Sequence, residues 1–201
     1  ALLCSGCGAF SNAGVAQTYF LLEDRARSPA TGVAGAVAAE LPIVLLIIAS
    51  ASDSLADSRS VVFSRAPGQR AAYQFAAWTE RPSQRIIELL ITRLTDRHAF
   101  SAVTRLGDGV RGDVVLSVEL DELFHDLTGA QAMARIGLSA ALVDRRSRQL
   151  LGRMSFASAT PVATENAAGA VASLGGSLGQ VFDAMVPWLV DTVRASVSRA
   201  A

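Results

Sequence analysis

Asp113 to Asp121, DVVLSVELD, carries an apolar residue at every second position. Successive strand side chains point to opposite faces, so Val114, Leu116, Val118 and Leu120 share one side while Ser117, Glu119 and Asp121 share the other. The stretch reads as a half-buried antiparallel strand with one face on a core and one in water. Two further strands follow. The first directs Ala132, Ala134, Ile136, Leu138 and Leu142 inward, and the second does the same with Leu150, Met154 and Phe156. Arg145 to Gln149 joins them, and its Arg145, Arg146 and Arg148 read as a solvated turn in preference to a phosphate-binding patch.

Upstream, Pro82 and Ser83 open a helix running to about His98, with Ile87, Leu90, Ile91 and Leu94 on the face that meets a sheet. Arg59 to Arg65 and Gln69 to Ala76 are strand patterns separated by Pro67-Gly68, a turn signal, and form a β-hairpin. Leu41 to Ala49 is apolar throughout and should be a central strand, being too short to span a bilayer, which takes roughly twenty apolar residues. Ser50 to Ser58 is a polar loop, Ser28 to Ala39 a Pro/Gly/Ala-rich connection, and Thr18 to Leu22 a strand. From about Glu165, Val171, Leu174, Leu178, Val181, Phe182, Met185, Leu189 and Val193 recur at helical spacing. Gly175, Gly176 and Gly179 weaken that helix, and Pro187 should kink or divide it.

These elements predict an α+β fold, a mixed and largely antiparallel sheet with a central helix and a C-terminal helix packed on one face. The 201 residues suit one domain with a full core. Hydrophobic residues make up 51% of the chain, above the usual range. Lys and Arg together number 18 and Asp and Glu 18, so no net field draws the chain to nucleic acid. All the basic residues are arginine, which points to nucleotide composition more than to a binding function.

The only cysteines lie in the opening ALLCSGCG. An apolar run closing on Ser5-Gly6 before Cys7 matches a lipoprotein processing site, where cleavage before the cysteine leaves an N-terminal residue that is acylated. Cys4 occupies a place where a branched apolar residue is usual, and Leu3 is too large to precede an acylated Cys4. On this reading residues 1–6 are residual signal peptide, 7–17 a lipidated tether, and 18–201 a single domain. Cys4-Ser5-Gly6-Cys7 is also a CxxC, but zinc needs two more ligands and redox chemistry needs a strand–helix context that this terminus lacks.

Catalytic and cofactor signatures do not emerge. His98 and His125 have no second ligand at a useful spacing and read as surface or boundary residues. Asp121, Glu122 and Asp126 are the densest carboxylates, short of the oxygen set that calcium needs. No nucleophile elbow, P-loop or dinucleotide-binding glycine pattern is present, so neither enzyme activity, a cofactor nor a metal is expected. Trp78, in FAAWTERP, is a candidate partner contact, since tryptophan is enriched in interface hot spots; its plainer role is to anchor the sheet edge.

In order and spacing, several segments resemble the ABC-type transport auxiliary lipoprotein family, which includes paraquat-inducible protein C. They are Cys7, Tyr19-Phe20-Leu21-Leu22, YQFAAWTERP (Tyr73 to Pro82), FSAVTRLGDGVRGDVVLSVELDELFHD (Phe100 to Asp126), ALVDRRSRQLLGRMSFASATPV (Ala141 to Val162) and the Ala-rich helix ending near Trp188. The resemblance implies a non-catalytic lipoprotein on the periplasmic side of the outer membrane, anchored through Cys7. It would join the membrane to a lipid transporter built from a mammalian-cell-entry-type substrate-binding protein and an ABC permease and ATPase. Gly8 after Cys7 is compatible with outer-membrane sorting; the inner membrane is the other location. The apolar stripe of the last helix is broader than one sheet face requires, which suggests homo-oligomerisation. Two rival functions are a lipoprotein that itself carries lipid or another hydrophobic ligand, and an envelope assembly lipoprotein unrelated to transport.

Overall fold

In the computed structural model, residues 16–25 and 40–200 are described. They form one eight-stranded sheet and two helices. The strands are β1 Thr18–Phe20, β2 Leu41–Ala51, β3 Ser60–Ser64, β4 Ala71–Trp78, β5 Phe100–Arg105, β6 Val114–Asp126, β7 Met133–Asp144 and β8 Leu150–Pro161. Helix α1 spans Pro82–Asp96 and α2 spans Ala167–Ala200.

Strand β6 organises the sheet. One of its edges pairs antiparallel with β7, which in turn pairs antiparallel with β8. The other edge is shared, with Val114–Leu120 running parallel to Leu45–Ala51 of β2, and His125 and Asp126 running parallel to Phe63 and Ser64 of β3. The sheet therefore forks into a β2–β5 branch and a β3–β4–β1 branch. A bulge lies at the fork, where the register against β7 shifts between Leu120 and Glu122. The extra residue changes the phase, so Leu123 follows Leu120 into the core. Mixed pairing with two long antiparallel ladders is the sheet the alternation predicted.

Strand β2 lies between two parallel neighbours, β5 and β6, which bury Leu45, Leu46 and Ile47 of its apolar run and leave Ile48 exposed. Residues Phe100–Arg105, which show no clean alternation, supply β5, a strand that the sequence reading did not separate from the loop around it. Ala132, just before β7, and Ala134, Ile136, Leu138 and Leu142 on it are all buried, as expected, and so is Ala140. On β8 only Phe156 of the three expected inward residues is buried; Leu150 and Met154 are exposed. A register shift between Leu142 and Val143 turns Leu150 out and lets Leu151 pack on the core, while Met154 lies on the sheet's outer edge strand.

Both helices join one core cluster with the sheet. Helix α1 begins at Pro82, whose missing N–H costs nothing there. The Ser83 N–H is capped by the Asp57 carboxylate at 2.8 Å, from a loop far away in sequence. Asn166 caps α2 through its side chain to the Gly169 N–H at 2.9 Å. Of the expected kink or division at Pro187, the division does not occur: α2 remains one helix across it. An interior proline costs about 3 kcal/mol. Met185, Val186, Leu189 and Val193 on either side of it are fully buried, and at roughly 1.5–3 kcal/mol per large apolar side chain they outweigh that cost. The proline ring itself faces solvent.

Gly175 does more than weaken the helix. The chain leaving β1 crosses α2 at this point, with the Arg25 N–H donating to the Gly175 carbonyl at 3.2 Å. A Cβ on residue 175 would stand 2.8 Å from the Glu23 carbonyl oxygen, too close for any side chain without moving backbone. The α2 stripe is also fully used within the chain, from Ala170 to Val193, against β6, β7, β8 and α1. Any self-association would have to use another surface.

Candidate functional site

Cys7, the expected acylation site, lies outside the described residues, as do Cys4 and the tether as far as residue 15. Trp78, the candidate partner contact, ends β4 and is 3% exposed within the core cluster. Its N–H donates to the Arg59 carbonyl, and its backbone pairs with Phe20. Its ring therefore supports the sheet edge and offers no surface to a partner. His98 is exposed just after α1, as expected. Arg145, Arg146 and Arg148 form the exposed β7–β8 turn. Asp121 and Asp126 accept hydrogen bonds from separate groups, Ser139 for the first and Thr128 and Arg135 for the second. Among the described residues no group of His, Cys, Asp and Glu is arranged to hold a metal.

His125 departs most from its expected role. It lies inside β6, completely buried, with Nδ1 2.7 Å from the Tyr73 hydroxyl. Its Nε2 has no hydrogen-bond partner among the described residues. Burial holds the imidazole below the ordinary value of 6.5, opposed by the Glu165 and Asp126 carboxylates, and burial raises the Tyr73 hydroxyl. The pair is a neutral structural contact under the sheet fork. A histidine lowered in the folded state takes up its proton first in the unfolded chain. Stability should thus be complete above the ordinary histidine range and decline as pH falls through 6.5. The urea midpoint is expected to be lower at pH 5.5 than at pH 7.5, and a midpoint unchanged between them would contradict the buried neutral state. Tyr73→Phe should cost about 1–3 kcal/mol by stranding Nδ1.

Two depressions open on the surface of the described residues, one of them beside β1. A polar cleft of about 720 Å³ is lined by Ser54, Ser58, Arg59, Glu80, Arg81, Gln84, Glu88 and Arg105. Arg105 pairs with Glu88, and Arg85 with Glu80 at 3.9 Å and Glu88 at 3.4 Å. Carboxylates neutralised in this way suit contact with a polar surface better than proton transfer. The second depression is an apolar groove of about 430 Å³ between β1, β4 and the start of α2, lined by residues that include Phe20, Tyr73, Phe75, Ala76, Ala167 and Ala168. On the other side of β4 the pairing with β3 is irregular: Ser60 faces Ala77 while Val62 faces Ala72. Nothing in the period of Gln69 to Ala76 announces that irregularity.

The family model described as ABC-type transport auxiliary lipoprotein component matches residues 20–186, from β1 through most of α2. The chain belongs to this family. As an auxiliary lipoprotein it has a membrane-anchored place in the cell envelope, while no helix among the described residues is long and apolar enough to cross a membrane. Its fold is similar to that of a crystallised Xanthomonas campestris protein, with a TM-score of 0.76 at 21% identity over 90% of this chain and 99% of that one. An uncharacterized protein aligns with a TM-score of 0.67 at 13% identity over 87% and 99% of the two chains. A hypothetical protein from Chlamydia trachomatis gives 0.54 at 9% identity over 77% and 99%. At these identities the likeness of the auxiliary lipoprotein to the solved structures is one of fold. No curated protein sequence matches it.

Proposed function

We propose that this auxiliary lipoprotein is a non-catalytic component of a mammalian-cell-entry-type ABC lipid transport system, docking the transporter to the outer membrane through an acylated Cys7. The family match across residues 20–186 carries the reading. The polar cleft supports it, because its alternating arginines and carboxylates can engage a protein surface. The apolar groove favours a second reading, in which the domain binds a lipid itself.

Affinity purification of the membrane-extracted protein from its native host, with mass spectrometry of Cys7 and of everything that co-purifies, separates these readings. Permease, ATPase or mammalian-cell-entry-type subunits together with diacylated Cys7 are expected. Bound lipid without transporter subunits would favour the carrier, and assembly factors alone would end the transport reading. Cys7→Ser should move the protein from the membrane to the soluble fraction, because stable attachment takes more than one acyl chain and each buried CH₂ contributes about 0.8 kcal/mol.

A further inference from the structure

We propose that the patch formed by Tyr19, Leu21 and Phe75 lies against the lipid leaflet that holds the acyl chains of Cys7. The inference rests on the anchor reading and adds to it an orientation of the domain. Among the described residues, the large apolar side chains that remain exposed fall into three groups: this patch, Ile48 with Leu106 and Val110 on the β2–β5 branch, and Leu150 with Met154 on β8. Tyr19 is 61% exposed, the most of any of them. Along β1 and the two residues after it, the exposed Tyr19 and Leu21 alternate with Phe20 and Leu22, which pack on the core. Tyr19 pairs with Ala77, two residues from Phe75, which opens onto the apolar groove beside Phe20.

The chain beyond the described residues selects the occupant. Cys7 precedes Thr18 by eleven residues, a span of at most about 40 Å when fully extended. The tether enters the domain at β1, so the anchor is attached at this edge of the sheet. Strand β8, with Leu150 and Met154, lies across β4, β3, β6 and β7, roughly 24 Å away at the usual strand spacing. Chemistry agrees with position. Tyrosine and phenylalanine beside an open apolar groove suit the headgroup region, where amphipathic rings concentrate. The adjacent Glu23 and Arg25 pair with each other at 3.3 Å and leave no net charge to repel lipid.

The test places a thiol-reactive, polarity-sensitive dye at Tyr19→Cys, Leu21→Cys, Phe75→Cys or Leu150→Cys in the full, membrane-extracted protein. Each variant is reconstituted into phosphatidylcholine–phosphatidylglycerol vesicles with and without nitroxide-labelled lipid. Circular dichroism confirms the fold, and mass spectrometry of the same sample reports Cys7. Labels at 19, 21 and 75 are expected to shift their emission to the blue and to be quenched by nitroxide lipid several-fold more than the label at 150. Acylated Cys7 with water-exposed labels at 19, 21 and 75 would overturn the orientation and leave the anchor standing. An unmodified Cys7 would overturn both. Shielded labels that nitroxide lipid does not quench would mean that protein covers the patch, and would also overturn the proposal.

Discussion

Arg93→Met lowers the unfolding free energy by about 3–5 kcal/mol, although methionine matches the apolar stem and suits a helix. Arg93 projects from the inner face of α1 and is 4% exposed. Its Nε lies 3.1 Å from the Asp24 carboxylate, itself 2% exposed, and its Nη2 lies 3.2 Å from Asp183. Nη1 donates to the Gly179 carbonyl at 3.0 Å, and the guanidinium stands over the Phe182 ring at 5.5 Å. One side chain thus ties α1, α2 and the segment after β1 together. Removing it leaves the Asp24 carboxylate buried without this cation, and a buried charge that loses its partner is far more costly than the net worth of the intact pair. Adding Asp24→Asn to Arg93→Met should recover part of the loss by removing that charge, a coupling that urea unfolding of the four proteins measures. A loss below about 1 kcal/mol in the single variant would show that the network is not the clasp described here. Arg93→Lys should also be deficient, since an ammonium cannot serve three directions with a planar fork.

Phe182→Ala is expected to cost about 3–5 kcal/mol, the range for emptying a fully buried phenylalanine site. Phe182 has no exposed surface, and it sits on α2 within the core shared with the sheet. The surrounding strands are held by continuous ladders and cannot collapse into the vacated volume, so the cavity term adds to the lost transfer energy. The Arg93 guanidinium also loses the ring beneath it. The double variant Arg93→Met/Phe182→Ala should therefore lose less than the sum of the single losses. Strict additivity would mean that the ring and the cation contribute independently.

The parts of the fold legible in sequence are those whose physics is local. Period two from Val114 to Leu120 and the buried positions of β7 identify half-covered strands, because a strand with one wet face must alternate. Pro67-Gly68 marks its hairpin, and Pro82 marks a helix start, through backbone constraints that need no partner. The family was likewise legible, since the order of segments from Tyr19 to Trp188 survives in the match over residues 20–186.

Elsewhere the local signal pointed the wrong way or was silent. His125, taken to lie just past the end of a strand, read as a surface or boundary residue; the bulge at the fork and the arrival of β3 bury it. Trp78 read either as a partner contact or as an anchor of the sheet edge, and it is buried because β1 pairs alongside it. Pro187, expected to kink or divide its helix, does not divide it, because core contacts on both sides outweigh one lost hydrogen bond. Leu150 and Met154 carried a strand's apolar period but lie on an edge strand past a register shift. Periodicity along the chain was therefore enough to assign the α+β class and most of the elements, while the family came from the resemblance of its segments. Which of those apolar and ionisable residues are inside was settled by contacts between distant segments, because burial belongs to the neighbours a residue acquires and pairing across β6 brings together residues more than fifty positions apart.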